Sequence, residues 1–123
     1  MGGRVLVVED NDALRQVYVR QLTEEGFEVV EAADGHAALW EFETKRPDVV
    51  VLETHMRGGD GIEVMNRMIA AKHKAAIVLN SASSSLGANY LTWVADAFVT
   101  KSADITGLVK TIHRFADAAP LTV

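Results

Sequence analysis

Asp48-Val49-Val50-Val51-Leu52-Glu53-Thr54-His55-Met56 is the stretch on which the fold turns. Its apolar run of four residues, rich in β-branched side chains, is too short for a helix and does not alternate with polar residues. That is the pattern of a strand buried on both faces. An acid closes it. The same design opens the chain, where Val5-Leu6-Val7-Val8 runs into Glu9-Asp10. Related runs stand at Val29-Val30, Ala76 to Leu79 and Ala97 to Val99, which gives five expected strands.

Helical periodicity fills the gaps. Leu14, Val17, Tyr18 and Leu22 share one face of a segment that Asn11 or Asp12 can cap and Gly26 can end. Asp34 caps a second helix from Gly35 to about Lys45, which Pro47 brings to an end. Its buried face falls to Leu39 and Phe42, leaving Trp40 partly exposed. Ile62, Met65, Met68 and Ile69 mark a third helix, and a weakly patterned fourth is expected from Ser84 to Thr92. Ser102 is expected to cap the fifth, whose stripe is Ile105, Leu108, Val109, Ile112 and Phe115. Strand and helix alternating five times predict an α/β fold. Its five-stranded parallel sheet has right-handed crossovers and helices on both faces, in three α/β/α layers. The domain is expected to span 1–116, with 117–123 as a tail or linker stub.

Composition narrows the function. The 123 residues suit one domain, and 17 Asp and Glu against 12 Lys and Arg give a formal charge of -5. That balance argues against direct binding to nucleic acid or an acidic membrane. The absence of cysteine removes thiolate nucleophiles, zinc-thiolate sites and disulfides. No segment has the roughly 20 apolar residues of a spanning helix, so a cytoplasmic protein is expected.

Ligands of such sheets sit beyond the carboxyl ends of the strands, at the point where strand order reverses. Those ends carry Glu9 and Asp10, then Glu53, Ser81 and Lys101. Acids gathered at one rim repel one another unless a cation joins them, and oxygen-only donors suit Mg²⁺. A hydroxyl and an ammonium beside them suit the oxygens of a phosphoryl group. The cluster has the makings of a phosphoryl-transfer site. Gly58, Gly59 and Gly61 lack the Lys-Ser/Thr sequel of a phosphate loop and read as a turn. His36, His55, His73 and His113 share no ligand spacing.

Four motifs in order, Val5 to Asn11, Asp48 to Gly61, Asn80-Ser81-Ala82 and Phe98 to Ser102, cover nearly the whole chain. Together they resemble the receiver domain of bacterial two-component response regulators. The resemblance implies a flavodoxin-like (βα)5 doubly wound sheet and a phosphorelay switch, not a turnover enzyme. It implies Mg²⁺ bound directly by Asp10, through water by Glu9, by the acceptor position Glu53, and by the backbone carbonyl of His55. Ser81 and Lys101 would meet the phosphoryl group, and Phe98 would turn inward on activation. Output would pass through the face of the fourth helix, fifth strand and fifth helix, where Tyr90 and Trp93 are candidate partner residues. The implied partners are a sensor histidine kinase or phosphotransfer protein and a downstream output domain or protein. A homodimer is also consistent with the family.

Three positions depart from the family pattern. Arg57 and Ser102 stand where proline is common, and Glu53 stands where the acceptor is aspartate. One extra methylene carries the carboxylate about 1 Å further out, and a misplacement of that size can cost about 10²-fold in a positioned reaction. Impaired phosphotransfer is expected, together with partial mimicry of a phosphoryl group by the longer acid. Two rivals predict otherwise: a phosphorylation-independent pseudo-receiver working by protein contact, and a Mg²⁺-dependent phosphohydrolase with Glu53 as base.

Overall fold

In the computed structural model every residue of Val5–Val8 and of Val49–Leu52 is buried, as expected of strands covered on both sides. The structure describes residues 3–56, 61–81, 95–101 and 104–117. Among them stand strands β1 (Arg4–Val8), β2 (Glu28–Ala32), β3 (Val49–Leu52), β4 (Ala76–Ser81) and β5 (Ala97–Thr100). The helices are α1 (Asp12–Glu24), α2 (Gly35–Lys45), α3 (Gly61–Ala70) and a C-terminal helix, Thr106–Asp117. The expected fourth helix, with Tyr90 and Trp93, the cap residue Ser102 and the tail from 118 onward lie outside the described residues.

The sheet is parallel throughout, in the order β2-β1-β3-β4-β5. Because side chains alternate along a strand, the sheet feeds two cores. Leu6, Val8, Val50, Leu52, Ile77 and Leu79 pack under α2 and α3 against Phe42, Val64, Met65 and Met68. Val5, Val7, Val49, Val51 and Val78 pack on the other face against Tyr18, Leu22, Leu108 and Ile112. Strand order reverses between β1 and β3, where Val8 is in register with Leu52. The residues that follow these two strands, Glu9 and Glu53, therefore meet at the switch point.

The helix signals in the sequence have physical counterparts. The Asn11 side chain accepts from the Leu14 N–H at 2.9 Å, and Asp34 accepts from Ala37 N–H at 2.8 Å. Gly26 takes a φ of 98° just past α1, a conformation that costs glycine little. Among the boundaries that differ from expectation, two bear on the site. Strand β4 runs two residues past Leu79, because Asn80 and Ser81 remain in register with Val99 and Thr100. The C-terminal helix starts at Thr106 and not directly after Ser102. Its first helical bond runs from Val109 N–H to Ile105 O, and the Asp104 carboxylate accepts from the N–H and hydroxyl of Thr106 at 2.9 and 2.5 Å. Among the described residues no helix is long and apolar enough to cross a membrane.

Candidate functional site

Glu9 and Glu53 leave the ends of β1 and β3 as buried acids, 2% and 5% exposed. Each is held by its own backbone as well as by the sheet. Glu53 N–H donates to Val8 O at 3.1 Å, Glu9 N–H donates to Ala32 O at 3.1 Å, and Arg15 donates to the Glu9 carbonyl at 2.9 Å. The same guanidinium pairs with Asp12 at 2.8 Å and Glu31 at 2.9 Å, so α1, β1 and β2 are tied together beside the acids.

Lys101 closes the site from the end of β5. Its backbone N–H donates to Ser81 O at 2.7 Å, which fixes the residue beside the fully buried Ser81. Its ammonium reaches Glu9 Oε1 at 2.6 Å and also pairs with Glu53 Oε1. Burial works against the charge of Lys101, but its bonds to Glu53 and Glu9 outweigh burial and hold its pKa above the ordinary lysine value. The second carboxylate oxygens are taken as well. Glu53 Oε2 accepts from His55 N–H at 3.0 Å and Glu9 Oε2 from Asn11 N–H at 3.1 Å.

Asp10, the next residue after Glu9, lines an open cleft with Asn11, Asp12 and His55. Glu9 and Glu53 thus converge on Lys101, while Asp10 and His55 border the cleft beside them. Among the described residues no three carboxylate or imidazole side chains stand together as a metal centre. The donors are nevertheless hard oxygens of the kind Mg²⁺ takes, and the cleft is open to water, which completes such shells. Phe98 is half-buried, in register with Leu79, and packs on the α2 and α3 side of the sheet.

Other residues complete the site without having been expected there. The Thr54 hydroxyl, next to Glu53, is buried with no hydrogen-bond partner. A Cβ at Gly61 would stand 2.7 Å from Thr54 Cα and 2.8 Å from the Glu53 carbonyl oxygen, so the start of α3 can approach the chain after β3 only as glycine. Below the rim, the buried Asn80 amide donates to the Tyr18 hydroxyl at 3.0 Å. Burial raises the Tyr18 pKa, against the lowering effect of the Asn80 bond, and the phenol also feels the charges of Lys101, Glu9 and Glu53. Asn80 inside an apolar strand was the available signal for this pair. Arg15 and Thr54 carried none.

The comparisons agree with this arrangement. The family model of the response regulator receiver domain matches residues 5–113. The alkaline phosphatase synthesis transcriptional regulatory protein PhoP of Bacillus subtilis is 31% identical over 97% of this chain and 52% of its own length. The chain spans about half the length of the first curated relatives it matches, 52% and 47%. The response regulator TrrA of Thermotoga maritima, solved in complex with Mg²⁺-BeF, is 33% identical, with a TM-score of 0.86 over 94% of this chain and 99% of that one. TrrA was also solved in complex with the histidine kinase ThkA, where it covers 94% of this chain and 98% of that one at a TM-score of 0.84 and 33% identity. With its parallel sheet, its acids at the switch point and its lysine at the end of β5, the chain belongs to the receiver domains of two-component response regulators.

Proposed function

We propose that this chain is a signalling receiver whose acceptor position takes up phosphoryl groups poorly, and that Glu53 supplies a standing negative charge in their place. One observation carries the reading: the buried Glu53 carboxylate is engaged on both oxygens, by the Lys101 ammonium and by His55 N–H. A nucleophilic carboxylate must present a lone pair to the incoming phosphorus in line with the leaving group. An acid tied at both oxygens and displaced by one methylene meets that demand badly. The same acid already makes the lysine contact that a phosphoryl oxygen would otherwise make.

Asp10, Glu53 and the His55 carbonyl would hold Mg²⁺, with Glu9 acting through water, and the bound ion would neutralise charge on phosphoryl oxygens. Within the protein, Lys101 offsets the two buried acids and is fixed by its N–H bond to the Ser81 carbonyl, and Phe98 would respond to the arrangement from the α2 and α3 side of the sheet. The partner is a sensor histidine kinase or phosphotransfer protein, in keeping with the complex known for TrrA. The output is a downstream domain or protein, in keeping with the greater length of the curated relatives. The chain works as a switch and not as a turnover enzyme.

Glu53→Gln tests the standing charge, since it keeps size and removes charge. NMR spectra of the two proteins should show the Phe98 ring and Lys101 ammonium resonances displaced, with the remaining fold unchanged. Identical spectra at both residues would overturn the proposal that Glu53 biases the switch.

A further inference from the structure

At the end of the sheet remote from Glu53, the turn before β3 meets the turn before β4. His73 of the second turn lies 2.6 Å from the Pro47 carbonyl of the first, and its ring packs 5.4 Å from that of Phe42. The contact gathers Lys45, Arg46, Lys72 and Lys74, all exposed, which is four of the chain's 12 Lys and Arg. Two of the acids nearby are already engaged: Asp48 accepts from Arg4 N–H at 2.9 Å, and Glu28 pairs with the Arg4 guanidinium at 2.8 Å. No carboxylate among the described residues pairs with Lys45, Arg46 or Lys72, while Lys74 donates to the Ile69 carbonyl at 2.9 Å. A concentrated positive patch thus sits on a protein whose net charge is -5.

An apolar groove runs up from this patch between α2 and α3. It encloses about 490 Å³ and is walled by Leu39, Trp40 and Phe42 on one side and Ala70 and Ala71 on the other. Trp40 is 61% exposed and Ile69 38%, and they are the large apolar side chains most open to solvent among the described residues. His36, Glu43 and Arg67 also line the groove, and the Arg67 guanidinium is paired at 3.2 Å with Glu63 on its own helix. A solvent-facing tryptophan beside a groove walled by small residues is the kind of feature that anchors a protein interface. Cations concentrated at one end give such a groove a direction.

We propose that this surface docks an acidic amphipathic protein segment, whose apolar side chain enters the groove against Trp40 and whose carboxylates meet Lys45, Arg46, Lys72 and Lys74. The observations favour a peptide over nucleic acid. A phosphate backbone would use the cations but leave the groove unfilled, and it would face the net negative charge of the whole body. The cationic end of the surface lies at the opposite end of the strands from Glu53, so a partner's carboxylates would bind away from the acid rim.

The test uses the 123-residue chain. A random short-peptide library is selected on it and counter-selected on a Trp40→Ala/Lys72→Glu/Lys74→Glu variant, and the enriched peptides are titrated by fluorescence anisotropy. Enriched sequences should combine Asp or Glu with a large apolar anchor. Their Kd should weaken about tenfold or more in Trp40→Ala, and likewise in Lys72→Glu/Lys74→Glu, and should weaken with salt. The substituted side chains are exposed, and thermal unfolding should confirm that both variants fold as the parent does. No enrichment, enrichment without acids, or affinity unchanged in either variant would overturn the proposal. A single-stranded oligonucleotide serves as the competing probe: binding at least as tight as the selected peptides would overturn it in favour of nucleic acid, and weaker binding would support it.

Discussion

Replacing Lys101 by Met removes an ammonium while nearly keeping its volume. It leaves two buried carboxylates facing each other across the gap. In the folded chain Lys101 lies 2.6 Å from Glu9 Oε1 and pairs with Glu53, and its side chain is 18% exposed. Breaking a fully buried pair by removing one partner costs about 3 to 5 kcal/mol, and the partial exposure of this ammonium brings the expected loss to about 2 to 3 kcal/mol. Glu53→Gln alone leaves Lys101 with Glu9 and should cost about 1 kcal/mol. The double variant removes the repulsion between the acids as well as the lysine, so it should be about as stable as Lys101→Met or slightly more so. The two effects should therefore fall short of additivity by about 1 to 2 kcal/mol. Urea unfolding at neutral pH, followed by circular dichroism with equal m-values, measures all four proteins. A Lys101→Met loss below about 0.5 kcal/mol, or strict additivity, would refute the idea that this lysine clasps both acids.

The alkaline limb of stability follows from two raised pKa values. Lys101 keeps its proton to higher pH folded than unfolded, so its contribution is fully present below the unfolded lysine value and is lost as pH rises through the folded one. Tyr18 is also raised by burial, so its ionisation destabilises the fold above the ordinary tyrosine range, and Tyr18→Phe should flatten the pH profile there in urea titrations. Asn80→Leu strands the buried Tyr18 hydroxyl and should cost about 1 to 3 kcal/mol, most of it recovered in Tyr18→Phe/Asn80→Leu. Gly61→Ala drives a Cβ to within 2.8 Å of the Glu53 carbonyl and should cost about 1 to 3 kcal/mol in the same assay. It should also displace the His55 and Lys101 resonances in NMR spectra.

Much of this could be read before any coordinates. Val49 to Leu52 was recognisable as a strand because burial on both faces leaves no polar position in the run, and β3 has those bounds. Asn11 and Asp34 announced their helices because a capping side chain acts on the backbone just ahead of it. The strand-end rule then gathered Glu9, Asp10, Glu53, Ser81 and Lys101 at one rim, where Lys101 pairs with Glu9 and Glu53 and Asp10 lines the cleft beside them. Long-range choices were not legible. Nothing local says that one ammonium would reach both Glu9 and Glu53, since their partner lies 92 residues from Glu9 in sequence. Nor does β4 end where its apolar run ends, because its length is set by pairing with β5. The start of the C-terminal helix was misplaced because a serine signals a cap by type, whereas Asp104 already binds the backbone N–H and hydroxyl of Thr106.

Glu53 differs from aspartate by one methylene, and intact-mass spectrometry measures the effect of that methylene directly. The parent chain and Glu53→Asp are incubated with a small acyl phosphate and Mg²⁺, and the phosphorylated fraction of each is followed over time. If the extra methylene hinders transfer, Glu53→Asp gains one phosphoryl group while the parent stays at least about 10²-fold slower. Equal uptake by both proteins, or none by Glu53→Asp, would contradict the proposal.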